Sequence, residues 1–242
     1  MDIQAERVGV DGPHGPLLKP TSLRVRPGEL VLVAGEPGTG HTALGLVLSG
    51  RMRPSTGTVR VDGRSAGAAL RKQVALVDAP EVSEPEEALT LVAVVGEELA
   101  MARRPSSRKA VLEWLSEHDA SEHVMDRFEH VPPTVRCRLL LELAATRPGV
   151  RTLILDCPDR YHPEPRQWWD LARRQVTPER SVVVLCSTTS ASLLHVPAAR
   201  LGEHDQPDPL RVAEPEPTAP QRTAPDQVPP GDITTEEAQE TP

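Results

Sequence analysis

The sequence predicts an α/β fold in which a parallel sheet is covered by helices on both faces. Short, continuous apolar runs at 30–34, 74–77, 152–156 and 181–186 alternate with segments of helical periodicity. Strands buried on both faces have this composition because each face of the sheet contacts another layer. Residues 2–34 also contain alternating stretches separated by turns, which indicates antiparallel strands at the N-terminus.

A glycine-rich turn follows the apolar strand at 30–34 and leads into an apolar helix. The turn consists of Gly35, Glu36, Pro37, Gly38, Thr39, Gly40, His41 and Thr42. The spacing Gly-x4-Gly-x-Thr is typical of a P-loop, in which backbone N–H groups and a helix N-terminus bind phosphate groups. We predict that these eight residues form a nucleotide-binding site. His41 occupies the position at which the motif carries lysine.

The region beyond this turn contains a helical insert at about 85–135. Apolar residues recur at three- and four-residue spacing over 88–103 and 108–118, which predicts two amphipathic helices. A third amphipathic helix begins near Thr134. A strand at 58–63 and a helix at 168–174 complete the predicted domain.

The last forty residues differ in composition from the rest of the chain. Residues 203–242 hold ten acidic and two basic residues, which accounts for the whole formal charge of −8. Prolines and acids with few large apolar residues cannot offset the entropy of ordering a chain. We therefore predict a domain at 1–202 and a disordered, Pro-rich acidic tail at 203–242.

The remaining composition argues against several classes of protein. Residues 1–202 hold 25 acidic and 25 basic residues, so they lack the basic excess of a nucleic-acid-binding protein. Cys137, Cys157 and Cys186 lie in stretches that look buried, and their odd number indicates free thiols in a reducing compartment. No apolar run approaches the roughly 20 residues that span a bilayer, and no signal peptide is evident. We expect a soluble, cytoplasmic protein.

Several of these segments occur in the order found in one family. The chain resembles the nucleotide-binding subunit of an ABC transporter over roughly residues 3–200, with a P-loop NTPase-like core. Besides the P-loop and the helical insert, the resemblance depends on the turn at 27–30 and the segment at 54–63. The strand at 153–156 resembles the Walker B strand, and the strand at 181–186 lies where the family has its switch histidine.

The resemblance implies ligands and partners. It implies weak binding of ATP and Mg²⁺, with the Thr42 hydroxyl and the Asp156 carboxylate at the metal. The alternatives from the residues alone are a threonine in the first helical turn and a strand-end aspartate that caps a loop. The implied partner is a membrane-spanning transport protein or a second ATPase subunit. The resemblance also implies a dimer at the inner face of the membrane.

The chain departs from the family pattern at five motifs. The replacements are His41 for the P-loop lysine, Cys157 for the catalytic glutamate, Thr189 near the switch histidine, Ala79 for the loop glutamine, and Pro132–Pro133 in the signature segment. A neutral thiol cannot activate water as a carboxylate does, and proline has no N–H for a phosphate. His162 is expected to be a surface residue, and Trp168–Trp169 to pack on a helix with one ring exposed.

Three functions remain open at this point. The chain is a degenerate transport ATPase subunit with little or no hydrolysis, an interaction scaffold that no longer binds nucleotide, or an active transport ATPase. The two roles of His41, as a short substitute for lysine or as a helix-capping residue beside an empty loop, are equally favoured by the sequence. Asp78 is expected to form a turn rather than to replace the missing glutamine, because it precedes Ala-Pro.

Overall fold

Two sheets organise the computed structural model of the protein, which describes residues 1–65 and 67–212. The first sheet is antiparallel in the order β2-β1-β4, and its strands are β1 (Ile3–Gly12), β2 (Gly15–Val25) and β4 (Thr56–Val61). The second has the order β5-β6-β7-β3-β8, formed by β3 (Glu29–Gly35), β5 (Val74–Val77), β6 (Thr152–Asp156), β7 (Ser181–Ser187) and β8 (Ala198–Arg200). All pairings along this second order are parallel.

Helices cover the parallel sheet, as the apolar runs predict. They are α1 (His41–Leu48), α2 (Gly67–Gln73), α3 (Leu91–Met101), α4 (Arg108–Glu117), α5 (Pro133–Thr146), α6 (Pro165–Arg174) and α7 (Thr188–Leu194). Short 3-10 turns occur at Ser121–His123, Phe128–His130 and Pro158–Arg160. The predicted α/β architecture, with antiparallel N-terminal strands and a helical insert, is confirmed.

The sheet separates two apolar cores, and each central strand contributes to both. In β3, Leu30 and Leu32 contact the core formed with α3, α5 and α6, whereas Val31 and Val33 contact the core formed with α1 and the antiparallel sheet. These side chains are almost fully buried because neighbouring residues of a strand point to opposite faces. The continuous apolar run therefore reflects a layer on each side.

The insert contains α3 and α4, but its helices are shorter than the amphipathic spacing predicts. The helix predicted at 88–103 spans Leu91–Met101, because the backbone of Arg103 adopts a positive φ of 56°. The helix predicted from Thr134 begins one residue earlier, at Pro133. Proline at the first position of a helix loses no hydrogen bond, since that N–H has no partner within the helix.

The exposed tryptophan ring and the start of the predicted tail at residue 203 are the two details that differ from expectation. Both Trp168 and Trp169 are buried, at 0 % and 5 % exposure, so neither ring faces solvent. The segment predicted as tail contributes β9 (Leu210–Arg211), which pairs antiparallel with β3. Leu210 and Val212 pack against the larger core. The acidic composition of the segment gave no indication of this packing. The rest of the predicted tail, 213–242, lies outside the described residues.

In the part of the chain that the structure describes, no helix is long and apolar enough to cross a membrane. Sequence reasoning missed α2, α7 and β8 as separate elements. Each is seven residues or shorter, so the periodic signal of a helix or a strand is too brief to recognise.

The position of β9 predicts that residues 203–212 contribute to stability. A chain ending at residue 202 should unfold with a free energy roughly 2 kcal/mol below that of a chain ending at residue 212, because partly buried Leu210 and Val212 are lost. Urea unfolding of the two chains measures the difference. Leu210→Ala in the full chain should reproduce about half of the loss, and equal midpoints for all chains would contradict the role of β9.

Candidate nucleotide site

The glycine-rich turn joins β3 to α1 in the conformation that its glycines permit. Gly38 and Gly40 have φ angles of 79° and 110°, which other residues adopt only with strain. A Cβ atom on Gly40 would lie 2.3 Å from the carbonyl oxygen of Leu17, so only glycine fits there. The N–H of Thr39 donates to the carbonyl of Glu36, which closes the turn. The glycines and this hydrogen bond therefore set the shape of the turn.

His41 lies at the base of the turn and faces the end of β7. Its side chain is buried, and Nε2 lies 2.9 Å from the carbonyl oxygen of Cys186. A carbonyl only accepts, so His41 Nε2 carries the proton and donates it to this bond. The sequence leaves two roles open for His41. The geometry favours the structural one, because the hydrogen bond of the ring connects the turn to β7.

The two residues predicted at the metal lie side by side. The Thr42 hydroxyl donates to Asp156 Oδ2 at 2.6 Å, and Asp156 is fully buried at the end of β6. Asp156 Oδ1 has no hydrogen-bond partner among the described residues. A hydroxyl and a buried carboxylate oxygen are ligands that suit Mg²⁺, so the residues present fit that ion.

The protein alone does not supply a complete metal site. Across residues 1–65 and 67–212, no group of three or more histidine, cysteine, aspartate or glutamate side chains could hold a metal ion. Mg²⁺ commonly binds through one or two protein ligands together with substrate phosphates. Retention of metal by Thr42 and Asp156 would therefore depend on a bound nucleotide.

Cys157 follows Asp156 in a left-handed backbone conformation, with φ of 48°. It is half-buried outside the strand rather than buried within it, which corrects the expectation from sequence for this cysteine. Burial, followed by the negative charge of Asp156, raises the pKa of the Cys157 thiol far above its usual range. The thiol therefore stays neutral and cannot accept a proton from water as glutamate would.

Thr189, predicted near the switch-histidine position, is exposed on α7 and does not line the cleft beside the P-loop. The preceding residues lie closer. Ser187 lines the cleft, and the Thr188 hydroxyl donates to a carboxylate oxygen of Glu36 in the glycine-rich turn. The structure therefore brings a serine and a threonine hydroxyl, but not Thr189, to this side of the turn.

The loop that carries the family's glutamine begins at Asp78 and Ala79. Ala79 is fully buried and has no polar side chain, whereas Asp78 adopts a positive φ of 54° and forms the turn expected from sequence. Burial raises the pKa of the Asp78 carboxyl to about 6, although nearby Arg160 opposes the shift. Asp78 Oδ1 has no hydrogen-bond partner within the described part of the chain.

Pro132 and Pro133 occupy the N-terminal end of α5, where they start the helix and offer no N–H group. His162 lies close to this helix end. The expectation that it is a surface residue is wrong, because only 5 % of it is exposed and Nε2 lies 2.9 Å from the Thr134 hydroxyl. Burial lowers the pKa of His162. The single histidine in a polar segment gave no signal of this packing.

An open cleft of about 890 Å³ contains most of these features. Its walls include the glycine-rich turn, Cys157 and Arg160, and the apolar side chains of Leu17 and Val82. Sequence reasoning missed Arg160, which reaches the cleft because the loop after β6 lies against the loop after β5.

Comparison with known proteins gives a consistent result. The chain matches the family model for "ABC transporter" over residues 18–150. It is 32 % identical over 139 residues to the ABC transporter ATP-binding protein RamB of Streptomyces coelicolor, covering 57 % of this chain and 21 % of the relative. It is 30 % identical over 154 residues to the ribose import ATP-binding protein RbsA of Ruegeria sp., covering 58 % and 29 %. The matched region thus spans less than a third of either relative.

Solved ATP-binding cassettes share the fold. A dimeric cassette in a post-hydrolysis state, bound to ADP and Pi, superposes with a TM-score of 0.64 and 17 % identity, covering 87 % of this chain and 100 % of that one. A nucleotide-free cassette from an ABC transporter gives a TM-score of 0.59 and 13 % identity, covering 86 % and 92 %. At these identities the likeness shows the fold alone.

The buried carboxyl of Asp78 predicts a pH dependence of stability. Because its folded-state pKa of about 6 lies above its ordinary value of 3.8, the folded protein holds this proton more tightly than the unfolded chain. The contribution of Asp78 to the free energy of unfolding therefore falls as the pH rises from about 4 to above 6. Asp78→Asn should remove this decline, so the variant gains on the parent by up to about 3 kcal/mol across that range.

Urea unfolding at steps from pH 4 to pH 7.5 measures this difference. Asp170→Asn, which changes an exposed aspartate of α6, serves as the control and should follow the parent at every pH. Parallel curves for Asp78→Asn and the parent would mean that Asp78 titrates as an ordinary carboxyl.

Proposed function

We propose that this chain is a degenerate ATP-binding subunit of the ABC transporter family. It belongs to that family because the family model matches more than half of its length. In this proposal it binds Mg-ATP weakly in the cleft beside the glycine-rich turn and hydrolyses it very slowly or not at all. The observation that supports this proposal is the hydrogen bond between Thr42 and Asp156, directly beside Cys157.

The glycine-rich turn and the pair Thr42 and Asp156 support nucleotide binding. Backbone N–H groups of the turn and the N-terminus of α1 would hold the phosphates. Thr42 would give its hydroxyl to Mg²⁺, while Asp156 would orient the ion from its buried position. Bound Mg²⁺ supplies charge neutralisation on the phosphates. His41 would add little, since its Nε2 donates to Cys186 and the ring is held at the base of the turn.

Rapid hydrolysis requires groups that act on the attacking water and on the terminal phosphate. Loss of a general base typically costs ~10²–10⁴ in rate, and loss of one charge-stabilising donor ~10²–10³. Cys157 stands in place of the base, and its thiol is held neutral. These losses are not additive, but together they lower the rate by orders of magnitude, too far for useful turnover by two copies of this chain.

A partner would contribute what this chain lacks. In a cassette dimer, the helix N-terminus of one subunit faces the nucleotide bound by the other. Here Pro132 and Pro133 begin that helix, so the chain would offer no N–H group from either residue to an opposing phosphate. We therefore propose a membrane-spanning transport protein or a second ATPase subunit as partner, and a location at the cytoplasmic face of the membrane.

A second function is supported by one specific observation. Because His41 Nε2 is committed to the Cys186 carbonyl, the turn is stabilised without any ligand. A turn that keeps its shape by itself is compatible with an interaction scaffold that no longer binds nucleotide. The two functions differ in one measurable property, which is the affinity of the parent chain for Mg-ATP.

Titration of the full chain with a fluorescent ATP analogue and Mg²⁺ tests the proposal. We expect weak, saturable binding that Asp156→Asn reduces, because the metal loses its buried carboxylate. His41→Lys should tighten binding about 10- to 100-fold, since a charged donor to phosphate replaces a ring bonded elsewhere. His204→Lys adds the same charge at an exposed site outside the cleft and should leave the affinity unchanged.

The other outcomes distinguish the remaining functions. No binding by the parent, with binding restored by His41→Lys, would favour the scaffold. Steady ATP turnover by the parent alone, abolished by Asp156→Asn, would overturn the assignment of a degenerate subunit.

A further inference from the structure

Arg160 is the only lysine or arginine that lines the cleft within the described part of the chain. It lies in the 3-10 turn after β6, four residues beyond Asp156. His41 also lines the cleft, but its Nε2 donates to the Cys186 carbonyl, so this donor is not directed at a ligand as a lysine ammonium would be. A highly charged phosphate group in this cleft would therefore meet one permanent positive charge on a side chain.

The guanidinium of Arg160 is held at the cleft by three acceptors. Nη1 donates to Glu84 Oε2 at 3.0 Å, Nε donates to the Cys157 carbonyl at 3.3 Å, and Nη2 donates to the Asp78 carbonyl. These bonds join the loop after β5 to the loop after β6. Only 26 % of the Arg160 side-chain surface is exposed, so the group is restrained before any ligand binds.

The bonds do not exhaust the donors of this side chain. A guanidinium has five N–H groups, and three of them are used by Glu84, Cys157 and Asp78. The second N–H of Nη1 has no acceptor among the described residues, and Nη2 also lies 3.9 Å from Asp78 Oδ2, beyond hydrogen-bond distance. These remaining N–H groups are charged donors of the kind through which arginine binds phosphate oxygens.

We propose that Arg160 is the side-chain cation that binds the terminal phosphate of a nucleoside triphosphate in this cleft, in place of the lysine that His41 replaces. The inference rests on the proposed function, since it requires that nucleotide binds. Glu84 competes with the phosphate for the guanidinium, because both are anions that use its terminal nitrogens. The Cys157 and Asp78 carbonyls keep Arg160 in position when Glu84 is displaced.

A purely structural role makes a different prediction. If Arg160 only clamps the two loops together, removal of either partner of the Arg160–Glu84 ion pair should loosen the cleft in the same way. If Arg160 binds phosphate, removal of the arginine and removal of its competitor should change nucleotide affinity in opposite directions. Glu84→Gln is suited to this test because its amide oxygen can still accept from the Glu81 N–H, as Glu84 Oε1 does at 3.0 Å.

The experiment measures dissociation constants of the full chain and its variants for Mg-ATP and Mg-ADP by calorimetry. Arg160→Gln should weaken Mg-ATP about 10- to 100-fold, as expected for loss of a charged hydrogen-bond donor, and should weaken Mg-ADP less. Glu84→Gln should tighten Mg-ATP severalfold. Arg180→Gln removes the same charge from a half-buried arginine bonded to Gln175, outside the cleft, and should match the parent.

Each result separates the inference from the proposed function. No binding of either nucleotide by the parent overturns the proposed function and the inference with it. Binding by the parent that Arg160→Gln leaves unchanged overturns the inference alone. Weaker Mg-ATP binding in both Arg160→Gln and Glu84→Gln, with an unchanged ratio of ADP to ATP affinity, identifies a structural clamp. If Arg160→Gln does not fold, Glu84→Gln is compared with Glu81→Gln, which removes a negative charge from a residue that lines the same cleft. Only release of Arg160 from Glu84 predicts that Glu84→Gln tightens Mg-ATP more than Glu81→Gln does, and equal effects overturn the inference.

Discussion

Parallel pairing of β3 with β7, and of β7 with β6, is the constraint on which the site depends. The strands run in one direction, so their carboxyl ends meet at one edge of the sheet. That edge brings together the glycine-rich turn that begins at Gly35, the Asp156 carboxylate and the start of α7 after Ser187. Ligands of open α/β sheets bind at this edge because loops from several strands converge there. The Thr42–Asp156 bond is one result of this convergence.

The same convergence explains how the loop keeps its shape after losing its lysine. His41 reaches the Cys186 carbonyl only because β7 lies next to β3 in the sheet. The bond ties the turn to the neighbouring strand, while Arg160 joins the two loops on the other side of the cleft. The lysine or arginine that lines the cleft in the described part of the chain is thus Arg160, in the loop after β6, and not a residue of the glycine-rich turn. The architecture of the family is kept, and the distribution of charge within it is different.

Local patterns predicted the fold and part of the site. The apolar runs identified β3, β6 and β7 because each strand has a buried layer on both faces. The roles of Arg160 and His162 could not be predicted, since each depends on a neighbour far away in sequence, Glu84 for one and Thr134 for the other. The strand β9 escaped notice for a similar reason, as its few apolar residues stand in an acidic, proline-rich segment.

The most direct test of this account is the state of the His41 ring when nucleotide binds. Side-chain ¹⁵N chemical shifts of the histidines, with His41→Gln for assignment, report which ring nitrogens carry protons. The account predicts that the His41 Nε2–H, which donates to the Cys186 carbonyl, keeps its chemical shift when Mg-ATP is added, while the backbone amide of Thr42 shifts as phosphate binds. A large change in the His41 Nε2–H resonance on addition of Mg-ATP would contradict it, because the ring would then have left the Cys186 carbonyl for the phosphate.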